Sequence, residues 1–85
     1  MKSFNYTIKD ELGLHARPAG MLAKAAKELD SEITITLGEK SVSAVKLIAL
    51  MGMGVKRGDT ITVTVNGGDE SASAKAMKEF LEINL

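Results

Sequence analysis

Residues 12–20, "LGLHARPAG", hold the only histidine and the only proline of the chain, with an arginine between them. Proline lacks an N–H, so it is tolerated in the first turn of a helix, where the backbone donors have no intrahelical partner. Pro18 therefore marks a helix start, either as the first helical residue or with His15 as the N-cap. Both placements leave His15 beside a helix N-terminus, whose free N–H groups and positive dipole end attract anions. Arg17 adds a permanent charge and a planar donor fork that suits phosphate oxygens. An imidazole nitrogen is a competent nucleophile near neutral pH. His15 could thus accept a phosphoryl group whose oxygens are held by the Ala16 and Arg17 amides and the Arg17 side chain. Taken residue by residue, the plainer reading is a capping or surface histidine beside a solvated arginine.

The elements that must carry this turn show in the hydropathy pattern. "SFNYTIK", "EITITL" and "TITVTV" alternate apolar with polar, which predicts half-buried strands with Phe4, Tyr6, Ile8, Ile33, Ile35, Leu37, Ile61, Val63 and Val65 inward. The opposite faces are serine, asparagine and threonine, so the sheet should be covered on one side and antiparallel. "KSV", after a turn at Gly38 and Glu39, adds a short hairpin strand. Ala19, Leu22, Ala23, Ala26 and Leu29 form one helical stripe, with Arg17, Gly20, Met21, Lys24 and Lys27 on the other face. "SAVKLIALMGMG" suits a short helix capped by Ser43 and stopped at Gly52 or Gly54. A last helix follows Asp69 or Ser71, with Ala76, Met77, Phe80 and Leu81 as core. The expected order is βαββαβα, an α+β fold in a single domain spanning 1–85.

Composition removes several classes of function. Eleven basic and eleven acidic residues cancel, and one Tyr and two Phe offer few stacking surfaces, which argues against a nucleic-acid binder. With no cysteine and one histidine, thiol chemistry and thiolate or histidine-rich metal sites are excluded, and no cofactor is expected. No apolar run approaches a membrane span, and the polar start lacks a signal peptide's apolar region, so no membrane insertion and a cytoplasmic location are expected.

Within this neutral total, charge is segregated. Residues 12–27 and 40–58 contain basic side chains and no acid. A short apolar helix over a one-sided sheet cannot bury its whole circumference, so some of Leu47, Ile48, Met51 and Met53 should stay exposed and serve for docking. With Met21 they would form an apolar centre ringed by Arg17, Lys24, Lys27 and Lys46, matched to an acidic partner surface with apolar pockets.

"GLHARPA", with "SEITIT", "KSVSA", the Leu/Met-rich helix ending at Gly54 and the "NGGDE" turn in order and spacing, resembles the HPr family, the histidine-containing phosphocarriers of the bacterial phosphoenolpyruvate-dependent sugar phosphotransferase system. The resemblance covers essentially the whole chain. It implies an open-faced β-sandwich, a four-stranded antiparallel sheet with three helices on one face. It further implies that His15 takes the phosphoryl group on Nδ1 from enzyme I and passes it to a histidine of enzyme IIA. Arg17 matches the active-site arginine and Pro18 the helix-start proline. The docking surface carries over to Met21, Leu47, Ile48 and Met51, with Gly20, Lys24, Lys27 and Lys46 around them. Leu12 stands where many relatives have a small polar residue, and Lys46 where serine-regulated relatives carry the serine. A monomeric relay rather than a self-sufficient enzyme is expected. The alternative is a paralogue in a nitrogen-related phosphotransferase chain, acting by binding regulatory targets.

Overall fold

A computed structural model describes residues 1–85 and places the elements in the order β1 (Lys2–Thr7), α1 (Ala16–Lys27), β2 (Glu32–Leu37), β3 (Lys40–Ser43), α2 (Leu47–Gly52), β4 (Thr60–Asn66) and α3 (Glu70–Asn84). The expected βαββαβα succession is present. The four strands form one antiparallel sheet in the order β1-β4-β2-β3.

Period-two patterning sets the register. Val63 of β4 lies opposite Phe4 of β1 on one side and Ile35 of β2 on the other, while Val65 pairs with Ile33. A slip of one residue would send this whole row to solvent, which pins the alignment. Ile33, Ile35, Ile61, Val63 and Val65 are fully buried beneath the helices, while Phe4, Tyr6 and Leu37 are half-buried against the same cluster. The other face is hydroxyl-bearing, and its side chains bond one another, as in Thr7 with Thr60 and Thr36 with Ser41, both at 2.8 Å. Leu37 and Lys40 pair across a two-residue turn in which Gly38 has φ +60°, a sign that favours glycine at the first position of a tight hairpin turn.

The stripe on α1 reaches the core through Leu22, Ala23 and Ala26, and α3 contributes Met77 and Leu81. Ala76 and Phe80, also expected inside, are half-buried. Of the two candidate caps for α3, Asp69 is the one used: its carboxylate accepts the Ala72 N–H at 3.1 Å.

Two expectations need correction, at the start of α2 and at the end of β1. Ser43 does not cap α2. It closes β3 opposite Thr34, and the Ala44 N–H extends that pairing to the Ile33 carbonyl at 2.9 Å. The helix begins only at Leu47, with Lys46 as an N-cap that offers no side-chain acceptor. Of the four apolar residues of which some were expected at the surface, Leu47, Ile48 and Met51 are exposed and Met53 is the buried one: α2 ends at Gly52, and Gly54, at φ +69°, turns the chain so that Met53 and Val55 both enter the core. Ile8 lies beyond the end of β1 yet is fully buried, held by its N–H to the Asp59 carbonyl at 2.9 Å. No helix is long and apolar enough to cross a membrane.

Candidate phosphoryl-acceptor site

The chain leaves β1 through a tightly bonded turn that fixes His15 before the helix begins. Asp10 anchors it at three points: its N–H donates to the Leu85 carbonyl at 2.9 Å, its carbonyl accepts the Gly13 N–H at 3.0 Å, and its carboxylate accepts the Leu12 N–H at 2.8 Å. The Leu14 N–H then donates to the Val55 carbonyl at 3.0 Å, and the Leu14 side chain is buried in the core. Gly13 permits this approach. Its φ is +65°, and a Cβ there would run into the Val55 carbonyl oxygen and lie 2.8 Å from the Lys56 Cα.

His15 is the N-cap of α1, with extended backbone at φ −88° and ψ −176°, and its carbonyl accepts the Ala19 N–H at 2.9 Å. Of the two placements the sequence allowed for Pro18, the structure adopts the one that puts it third in the helix, after Ala16 and Arg17. Pro18 has no N–H, and no hydrogen bond uses the amides of Ala16 and Arg17. Two donors at the positive end of a 12-residue helix are therefore open to an anion, and no acidic side chain lies in the first turn to neutralise them. Pro18 and Ala19 are buried, which holds the end of the helix against the core.

The imidazole is half-exposed, and with Arg17 it lines an open cleft bounded by Leu12, Met21 and the end of α3 at Ile83 and Asn84. Nε2 of His15 lies 3.8 Å from Oδ1 of Asp10. Asp10 was not among the residues singled out from the sequence. Its local signal is an aspartate whose carboxylate takes the N–H two residues on, but its closeness to the ring depends on the anchoring to Val55, a long-range contact.

The remaining candidates lie on α1 and α2, which pack against each other. Met21, Leu47 and Met51 are each about two-fifths exposed and Ile48 is 79 % exposed. Lys24, Lys27 and Lys46 are exposed, and Gly20 is half-buried with open space over its Cα. No group of His, Cys, Asp or Glu side chains is placed to hold a metal ion.

An open-faced α+β sandwich with a half-exposed histidine capping its first helix defines a class of small phosphocarriers, and the comparisons agree with it. The family model described as "PTS HPr component phosphorylation site" matches residues 2–82. The phosphocarrier protein HPr of Mycoplasma capricolum is 39 % identical over 81 residues, covering 95 % of this chain and 91 % of that protein. Its counterpart from Mycoplasma genitalium is 39 % identical over 85 residues, 99 % of this chain and 97 % of the relative. Among solved structures, HPr-C-His of Thermoanaerobacter tengcongensis superposes with a TM-score of 0.91 at 33 % identity, over 96 % of this chain and 92 % of that one. The chain belongs to the HPr family: it is a phosphocarrier of the phosphotransferase system.

Proposed function

We propose that His15 is the phosphoryl acceptor, that the group comes from phosphorylated enzyme I, and that it is delivered to an enzyme IIA during sugar uptake. The observation that carries this reading is the pair of unbonded amides, Ala16 and Arg17, at the helix end beside the half-exposed imidazole. The transferring group spreads negative charge over its oxygens, and preorganised donors with a fixed cation stabilise that charge without reorganisation. Arg17 supplies the cation. The chain undergoes one reaction per cycle and relies on its partners for the rest, so it acts as a stoichiometric intermediate rather than an enzyme.

Docking is assigned to the α1–α2 face. Ile48, the most exposed of its apolar side chains, is read with Leu47, Met51 and Met21 as the apolar centre, and the exposed Arg17, Lys24, Lys27 and Lys46 as its basic rim. An acidic partner with apolar pockets fits this arrangement. With Lys46 at the head of α2, no hydroxyl stands there for a serine kinase, which leaves the carrier competent for enzyme I at all times.

The test is a reconstituted relay of phosphoenolpyruvate, enzyme I and an enzyme IIA, with and without this chain. Label should reach enzyme IIA only when the chain is present, and His15→Ala should block it. Label reaching enzyme IIA equally well without the chain would overturn the reading.

A further inference from the structure

We infer that Asp10 is a positioning residue for the phosphoryl transfer: its carboxylate holds the proton of His15 on Nε2, leaves the Nδ1 lone pair free to attack, and balances the positive charge the ring acquires. The inference rests on His15 being the acceptor and deepens that reading. Three observations carry it. Asp10 Oδ1 lies 3.8 Å from Nε2, the only acidic oxygen within ion-pair distance of the ring. The same oxygen accepts the Leu12 N–H at 2.8 Å, and the Asp10 backbone is tied to Leu85 and Gly13, so the carboxylate is fixed in place. Besides the His15 ring, the cleft is lined by two charged side chains, Asp10 and Arg17.

A neutral imidazole carries one proton, and the partner of one nitrogen decides which nitrogen keeps it. A carboxylate beside Nε2 favours the Nε2–H form. Nδ1 is then the nucleophile. In the transfer, the Nδ1 lone pair forms the new N–P bond as the bond from phosphorus to the donor atom breaks, and that electron pair leaves with the donor. The Nε2 proton stays where it is, so the ring becomes positively charged. Asp10 faces that charge from the Nε2 side, while the Ala16 and Arg17 amides offer donors to the phosphoryl oxygens. In the return step the N–P bond breaks with its electron pair returning to Nδ1, and the retained Nε2 proton lets the ring leave as neutral imidazole.

The test uses Asp10→Asn and Asp10→Ser, both of which keep an oxygen able to accept the Leu12 N–H but carry no charge. Two quantities are read: the ¹⁵N shifts of the unphosphorylated ring, and the initial rate of phosphorylation by enzyme I. In the wild type the shifts should report Nε2–H and a bare Nδ1. In both variants the two shifts should move toward each other as the second tautomer gains population, and the rate should fall about three- to tenfold at unchanged thermal stability. Wild-type shifts and rates in both variants would reduce Asp10 to a turn-building residue and overturn the inference. The nitrogen shifts need no phosphorylation, so a wild-type ring that takes no phosphoryl group would count against His15 as acceptor, a separate outcome.

Discussion

Replacing Gly13 with alanine tests how the fold delivers His15 to solvent. The residue has φ +65°, where an L side chain costs roughly 1–2 kcal/mol. Its new Cβ would strike the Val55 carbonyl oxygen and lie 2.8 Å from the Lys56 Cα. Both obstacles are backbone, so no rotamer change relieves them. Separation of the two segments stretches or breaks the 3.0 Å bond from the Leu14 N–H to the Val55 carbonyl, worth about 0.5–1.5 kcal/mol net. Allowing for partial relaxation, Gly13→Ala should lose about 2–4 kcal/mol, which for a domain of this size lowers Tm by on the order of 10–25 °C. Urea denaturation measures the loss. Among folded molecules, displacement of the turn should slow phosphoryl acceptance about ten- to hundredfold. Gly20→Ala is the internal control: Gly20 lies inside α1 with nothing near its missing Cβ, so alanine should stabilise by about 0.5–1 kcal/mol. A Gly13→Ala loss below about 0.5 kcal/mol would refute the argument that the Val55 contact sets the turn.

Ile48→Asp should weaken enzyme I binding by about 2 kcal/mol or more with Tm nearly unchanged, whereas Leu50→Ala, two residues on and fully buried, should lose about 2–5 kcal/mol of stability; calorimetry on both variants separates docking from core. Lys46→Glu should slow phosphorylation of His15 at low ionic strength, and the difference should shrink in high salt as the rim charge is screened; equal rates at low salt would remove Lys46 from the steering surface. The Met1 ammonium, 2.7 Å from Glu70, and then the Gly67 N–H hold the Glu70 carboxyl below its ordinary range. A depressed value stabilises the fold above the unfolded-state range and is lost as pH falls through the folded one. The gap in Tm between the wild type and Glu70→Gln should therefore close on acidification from pH 7, and a gap that widens would contradict the sign.

The strands were legible because one face is buried and the other wet: Ile33, Ile35, Ile61, Val63 and Val65 alternate with threonine, and only one register keeps them inside. Pro18 and His15 likewise announced a helix start through local backbone chemistry. The start of α2 was not legible. A serine before an apolar run suits both a cap and the last residue of a strand, and the Ala44 N–H bond to Ile33, a partner 11 residues earlier, decides between them. Met53 shows the same limit, since its burial follows from the turn at Gly54 rather than from helical spacing. The imidazole beside a helix start with open amides could be inferred from seven consecutive residues. The Asp10 contact could not, because the approach of Gly13 to Val55 joins segments more than 40 residues apart.

The most direct measurement is the site of phosphorylation. The chain is incubated with phosphoenolpyruvate and enzyme I, its intact mass is followed, and the modified residue is mapped under conditions that preserve phosphohistidine. One acid-labile phosphoryl group per chain, on Nδ1 of His15 and absent from a folded His15→Ala variant, is the predicted result. An acid-stable phosphate elsewhere, or an acid-labile group that persists in His15→Ala, would contradict it.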